Sequence, residues 1–364
     1  MKIKIPHPQL KEALEVVSRI STKHVTLPVL QCVLIDARNN TITLRATNLE
    51  IGIELSLVGV VEDEGMIAVP AQTLLQSIQF LTEKEVVLLV EDGVLRVEGA
   101  HTKTSIKAIP HEEFPTIHRV SNTGVSVNAE MFAFGLKTVA FAASQTSIKP
   151  ELGSIFVQQK REHTLTFVAT DSFRLMEKTV PQKGVVLAQS FLVPHKNALE
   201  LARICDSVGG LADLVVTENQ CSLTFGNGTY VTSRLVTGSF PDYEQIIPKE
   251  YVTTVTVFKD DLIKAFKKTN VFLNKFLQVA IAITEYHLTI SATNSEVGHT
   301  TDTLKAQVQG EELNLNFNQQ YVIDPLTHIQ DESLTMKFAG IGRPLVMTGV
   351  NDPSLRYLVM PMNK

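Results

Sequence analysis

Seven residues recur three times along the chain. Ile42-Thr43-Leu44-Arg45-Ala46-Thr47-Asn48 returns as Leu165-Thr166-Phe167-Val168-Ala169-Thr170-Asp171 and as Leu288-Thr289-Ile290-Ser291-Ala292-Thr293-Asn294. Each copy reads apolar, Thr, apolar, any residue, Ala, Thr, Asn or Asp. The copies begin at 42, 165 and 288, a constant spacing of 123 residues. The alternation is that of a half-buried strand, and Thr-Asn or Thr-Asp then marks a turn. A second series keeps the order. Val69-Pro70, Val193-Pro194 and Phe317-Asn318 lie 124 residues apart, and each precedes an apolar pattern of helical spacing. Pro or Asn in that place opens a helix. The period exceeds the roughly 20–50 residues of solenoid repeats and matches a small domain of about 100–150. The 364 residues therefore read as three copies of one α+β domain, at 1–122, 123–251 and 252–364, each with two helices on antiparallel sheets.

The hydrophobic fraction of 44% lets each third bury a core of its own. Cys32, Cys205 and Cys221 have no metal-ligand spacing and stand in apolar contexts, as small core residues of a reduced, cytoplasmic protein. Met1-Lys2-Ile3-Lys4-Ile5 alternates like a strand and lacks a signal-peptide block. No apolar run nears the roughly 20 residues of a membrane span. A net charge of −5 argues against a wholly basic nucleic-acid binder, so the placement of the positive charges matters more.

Helices are predicted from Pro8, over 71–81, 129–142, 194–205 and 260–273, the last capped by Asp260 or Asp261. A final helix over 318–329 contains Pro325, which should kink or shorten it. A strand is predicted over 29–35. Glu113-Phe114-Pro115 and Ser239-Phe240-Pro241 make the domain exit repeat as well.

No catalytic, metal or cofactor motif is present. Asp171 and His195 could be imagined as an acid–base pair, but the repeat explains both more plainly, as a turn residue and as the residue after a helix-opening Pro. The basic residues are patterned. Lys11, Arg19, Lys137, Lys196, Arg203, Lys264, Lys267 and Lys268 fall on predicted helices away from the apolar stripe, and Lys149 lies in a polar loop. A helix charge is usually only a solvated face, but equivalent helices of a repeat point the same way. Lys and Arg facing phosphates bind DNA without reading bases.

Taken together, the three repeats, Thr26-Leu27-Pro28-Val29-Leu30, Ala169-Thr170-Asp171 with Arg174-Leu175, Phe240-Pro241-Asp242-Tyr243 and terminal Val359-Met360-Pro361-Met362 resemble the bacterial sliding clamp, the beta subunit of DNA polymerase III. The resemblance spans the chain. It implies a head-to-tail homodimer whose domains form a six-domain ring, with helices lining a hole for duplex DNA and with no catalytic activity. It implies as partners the DNA polymerase III catalytic subunit, a clamp-loader ATPase, and other DNA polymerases or repair proteins, which bind through short peptides. Lys23-His24 stands where a basic DNA-contacting loop is expected. The implied peptide pocket joins the second and third domains, with walls Leu152, Thr170, Arg174, Leu175, Pro241, Ile246, Pro344, Leu358, Met360, Pro361 and Met362. Pro361 should end the last strand and leave Met362 free to line the groove. Thr104 and Ile106 should meet Val271 and Phe272 of a second subunit. Ser172-Phe173 replaces the family's usual Gly-His, and Gln245 a commonly basic residue. The competing readings are a three-repeat peptide scaffold that encircles nothing, and an enzyme using Asp171 and His195.

Overall fold

The computed structural model describes residues 1–21, 26–99, 102–120, 123–146 and 148–362. Six α-helices are described: α1 (His7–Ile20), α2 (Ala71–Ile78), α3 (Ala129–Ala140), α4 (His195–Val208), α5 (Lys259–Thr269) and α6 (Gln319–Ile323). Each follows directly on a strand, so each third runs strand, helix, several strands, helix, three strands. In α1, Pro8 occupies the first turn, where its missing N–H costs nothing, and Leu10, Ala13, Leu14, Val17 and Ile20 form the buried stripe.

Three local expectations are corrected, and the shortening expected at Pro325 is met. Residues 28–31 form a 3₁₀ turn before the strand Cys32–Arg38, because Pro28 fixes φ and presents no N–H to a ladder. Helix α2 stops at Ile78. Helix α5 ends at Thr269 and tightens into the 3₁₀ turn Asn270–Phe272; Asp260 and Asp261 lie in its first turn, while Phe258 holds the cap position without a side-chain bond. Helix α6 is only five residues long. Pro325 cannot continue it and instead opens the 3₁₀ turn Asp324–Thr327.

The chain forms two compact units, and the middle third contributes to both. Residues 1–133, 184–189 and 199–235 make the first. Its five-stranded sheet runs Val60–Asp63, Lys2–Pro6, Glu85–Glu91, Val94–Glu98, Lys103–Lys107. Its eight-stranded sheet runs Val125–Asn128, Leu211–Val216, Gln220–Phe225, Tyr230–Arg234, Ile51–Leu57, Thr41–Thr47, Cys32–Arg38, Gly65–Pro70. Residues 134–183, 190–198 and 236–364 make the second unit. Its nine-stranded sheet runs Phe191–Pro194, Ser154–Gln158, Thr164–Thr170, Arg174–Pro181, Leu355–Val359, Leu345–Gly349, Ser333–Phe338, Thr253–Phe258, Gln307–Gly310. Its four-stranded sheet runs Gly298–Lys305, His287–Asn294, Gln278–Thr284, Leu313–Asn318. All pairings are antiparallel. The alternation of the repeated strand puts Ile42, Leu44 and Ala46 in one core and Leu288, Ile290 and Ala292 in another.

The Thr-Asn or Thr-Asp ending of the repeat is a hydrogen-bonding device. In the first copy Thr47 Oγ1 donates to Ile51 O (3.0 Å) and accepts from Leu49 N (3.0 Å), while Asn48 Oδ1 accepts from Glu50 N (3.0 Å) and Ile51 N (2.9 Å). The second copy repeats every bond at the same offsets: Thr170 with Arg174 O (2.7 Å) and Ser172 N (3.2 Å), Asp171 with Phe173 N and Arg174 N (3.0 Å each). Leu49 and Ser172 take φ of 75° and 78°, a left-handed conformation that these four bonds hold in place. In the third copy Asn294 Oδ1 accepts from Glu296 N (2.9 Å), and Gly298 supplies the positive φ.

Candidate functional site

The second copy of the turn launches the strand Arg174–Pro181, whose two faces carry different chemistry. On one face the register sets Leu175 opposite Thr170 and Leu358, and Leu358 opposite Val346. Val168, Leu175, Val346 and Leu358 form a buried apolar patch there, joined by Tyr243 from the connecting segment. Phe156, Phe240, Ile247 and Tyr251 pack against it. Phe240 stacks on Phe156 (centroids 4.8 Å apart) and meets Tyr243 edge-on at 6.1 Å. The Tyr243 hydroxyl donates to Glu177 Oε2 (2.6 Å) and accepts from Gln158 Nε2 (3.0 Å). Burial, and then Glu177, push this phenol upward, so it stays a neutral donor. Glu177 lies two residues beyond Leu175 on the same face and pairs with Lys160 (2.7 Å) and Arg356 (3.7 Å).

Arg174 points to the opposite face. Its Nε donates to Asp171 Oδ2 (2.9 Å), one Nη to Phe141 O (2.8 Å) and the other to Asp324 Oδ2. The guanidinium also stacks over Tyr321, 4.4 Å from the ring centroid. Burial opposes the charge, but Asp324 foremost outweighs it and raises the pKa. Arg174 is thus a clamp between the turn and the segment after α6. Asp171 is fully engaged here. His195 opens α4 with its backbone N bonded to Gly153 O (2.9 Å), and burial lowers its ring's pKa, followed by Lys196. The two do not form an acid–base pair.

Of the expected pocket walls, Leu175 and Leu358 share the apolar patch, with Thr170 beside them in register. Pro241 and Ile246 are exposed on the segment that crosses this face. Leu152 is buried in the loop after α3, and half-buried Pro344 leads into the strand Leu345–Gly349. The last strand ends at Val359, before Pro361, but the tail is not free. Met360 N donates to Phe173 O (2.9 Å), and Met362 N donates to Asn316 O (2.7 Å). Phe173 itself is exposed. Sequence reasoning missed Tyr243, Val346, Phe156 and Ile247 as parts of this face. The Phe-Pro-Asp-Tyr motif was a signal for Tyr243; nothing local marked Val346 or Phe156.

The equivalent positions of the first third are not apolar. Gly52 stands where Leu175 does, 123 residues earlier, and pairs with Thr232 where Leu175 pairs with Leu358. A Cβ on Gly52 would lie 3.2 Å from Ile117 Cγ2, so the connecting segment rests directly on the sheet. Glu54, the counterpart of Glu177, is covered by Arg119 (2.5 Å) and Arg45 (3.1 Å). An apolar Leu–Leu floor is thus absent from this junction.

Of the expected cationic residues, Arg19, Lys137, Lys149, Lys196, Arg203, Lys264, Lys267 and Lys268 are exposed, and Lys11 is half-exposed. Several have local acids: Arg203 pairs with Glu200, Lys264 with Asp261 (3.5 Å) and Lys268 with Asp302 (2.8 Å). Such surface pairs are worth about 0–1 kcal/mol and exchange readily for phosphate. Lys23 and His24 lie outside the described residues. Lys103–Lys107, with Thr104 half-exposed and Ile106 buried, and Gly298–Lys305 are each the end strand of their sheet. Val271 is exposed, and half-buried Phe272 lies beside Gly298.

The fold and site together define a three-copy α+β chain with an apolar face at one junction. Its sequence matches three family models in order: the N-terminal domain of the DNA polymerase III beta subunit over residues 1–118, the central domain over 126–242 and the C-terminal domain over 244–363. It is 26% identical to a beta sliding clamp homolog of Streptomyces muensis, covering all of this chain and 99% of that one. It is 27% identical to the beta sliding clamp of Pseudomonas putida over the whole of both chains. The crystal structure of the Pseudomonas aeruginosa DNA polymerase III beta subunit superposes with a TM-score of 0.93 at 26% identity, covering 100% of each chain. The chain belongs to the DNA polymerase III beta subunit family, and it is a sliding clamp, a non-catalytic accessory subunit. Among the described residues, no helix is long and apolar enough to cross a membrane.

Proposed function

We propose that the chain works in the cytoplasm as a head-to-tail homodimer closed around duplex DNA, and that it tethers the DNA polymerase III catalytic subunit and other DNA polymerases or repair proteins. A clamp-loader ATPase opens and closes it. The domains are 1–122, 123–251 and 252–364. Partner peptides seat on the face floored by Leu175 and Leu358, with Thr170, Leu152, Pro241, Ile246, Pro344, Met360, Pro361 and Met362 around it and Arg174 fixing its turn. The observation that carries this is the contrast between junctions: the Leu175 and Leu358 pair is apolar where Gly52 and Thr232 are not. DNA is held by the exposed helix cations through phosphates alone, which leaves it free to slide. The dimer forms where the open edges Lys103–Lys107 and Gly298–Lys305 of two copies meet, with Phe272 covered; pairing such edges removes an aggregation hazard.

Retention on DNA tests the ring. Protein loaded onto nicked circular DNA by the clamp loader should stay bound through gel filtration, and cutting the circle should release it. Equal retention on circular and linear DNA would replace the ring by a groove.

A further inference from the structure

A solvent-open cavity of about 600 Å³ begins where the apolar patch ends. Ile247 belongs to both: it packs against the apolar patch and lines the cavity. From Leu175 to Glu177 along the strand is about 7 Å, so an extended chain seated on the patch reaches the cavity within two residues. Four cations line it, Lys160, Arg161, Lys249 and Arg356, against two carboxylates, Glu177 and Glu244. Both carboxylates are already bound by Lys160, at 2.7 Å each. Arg161 and Lys249 are exposed and make no ion pair among the described residues. The lining is therefore net positive on a chain whose charge is −5. The first junction offers no counterpart, since Arg119 folds down onto Glu54 there, while Gln245 holds the matching place in the second connecting segment and bonds to Asp242 instead.

We propose that this cavity receives the carboxylates of an acidic segment flanking the apolar anchor of a partner peptide, with Arg161, Lys249 and Arg356 as its partners. This rests on the reading that the anchor seats over Leu175 and Leu358. A peptide ligand is favoured over nucleic acid because the cavity continues the apolar patch.

The test is fluorescence anisotropy on the full chain with the clamp-binding peptide of the polymerase catalytic subunit, extended at either end by a short Glu, Gln or Lys tail. The Glu tail, at one of the two ends, should bind about fivefold more tightly than the Gln tail, the scale of a few exposed charge contacts. The gain should vanish at about 0.5 M salt, where charges are screened within about 4 Å. It should also vanish in the double variant Arg161→Gln, Lys249→Gln, with the Gln-tailed peptide unaffected. Equal affinities for Glu and Gln tails at both ends overturn the proposal while leaving the anchor intact. A chain that binds none of the peptides overturns the anchor and the cavity together. If instead the double variant abolishes binding of a single-stranded oligonucleotide and no tail preference exists, the cavity is a phosphate site and the proposal falls.

Discussion

Arg174 shows how one residue changes the use of a repeated turn. The first copy places Ile51 at the same offset, and its turn needs only backbone bonds to Thr47 and Asn48. In the second copy Asp replaces Asn, which adds a charge that Arg174 answers while also binding Asp324, 150 residues away. The Arg174, Asp171 and Asp324 side chains are 12%, 13% and 20% exposed, so removing the cation strands two poorly hydrated carboxylates. Arg174→Ala should cost about 3 kcal/mol, read as a lower urea midpoint at unchanged slope. Its effect on peptide binding should follow from the loosened turn, so Arg174→Lys should restore only part of it, since ammonium lacks the forked geometry. A loss of binding with no loss of stability would show instead that Arg174 touches the peptide directly.

Elements are pinned at their ends by few bonds, and two ends make distinct expectations. The opening strand Lys2–Pro6 is held to Val60–Asp63 partly by Glu62, which bridges Lys2 (2.6 Å) and Lys4 (2.5 Å). Hydrogen bonds from Lys2 and then Lys4 hold the Glu62 carboxyl at about 2, below its ordinary value of 4.5. A lowered carboxyl stabilises fully above its unfolded pKa and loses that contribution as pH falls toward the folded one. Amide exchange in Lys2–Pro6, corrected for its intrinsic rate, should therefore rise between about pH 4.5 and 2 in the native chain and stay flat in Glu62→Gln. At the other terminus, removing residues 362–364 breaks the Met362 N bond to Asn316 O. That should cost only about 1 kcal/mol of stability, yet weaken a seated peptide by about 1–3 kcal/mol, the scale of one lost apolar side chain. Unchanged affinity in a folded truncated chain would make the tail purely structural.

For the whole molecule, the proposed dimer rests on two end strands and on Phe272. Ile106 is buried in its own unit, so the Lys103–Lys107 strand offers mainly its backbone edge and Thr104. Phe272→Ala should weaken dimerisation by about 2 kcal/mol, roughly 30-fold in Kd, with each unit still folded. Sedimentation at nanomolar concentration distinguishes this from an unchanged dimer. On the proposed DNA surface, Lys267 has no ion pair among the described residues, whereas Lys264 and Lys268 do. Lys267→Gln should therefore reduce the salt slope of DNA binding by about 0.9, and the other two by less.

The sequence by itself determined whatever depends on neighbours a few residues away. The 123-residue period, the Thr-Asn and Thr-Asp turns, the Pro-opened helices and the interruption at Pro325 were all legible, because the bonds that make them span only two to four residues. The repeat register even held the contrast between Gly52 and Leu175, although it takes the strand partners Thr232 and Leu358 to give that contrast meaning. Tertiary structure alone decided which distant strands pair, and so placed Val346 and Phe156 beside Leu175 and gave Arg174 its partner Asp324. It also decided that the middle third divides between two compact units. Sheet register is fixed by burying whole faces at once, a condition on the entire chain that no short stretch of sequence can express.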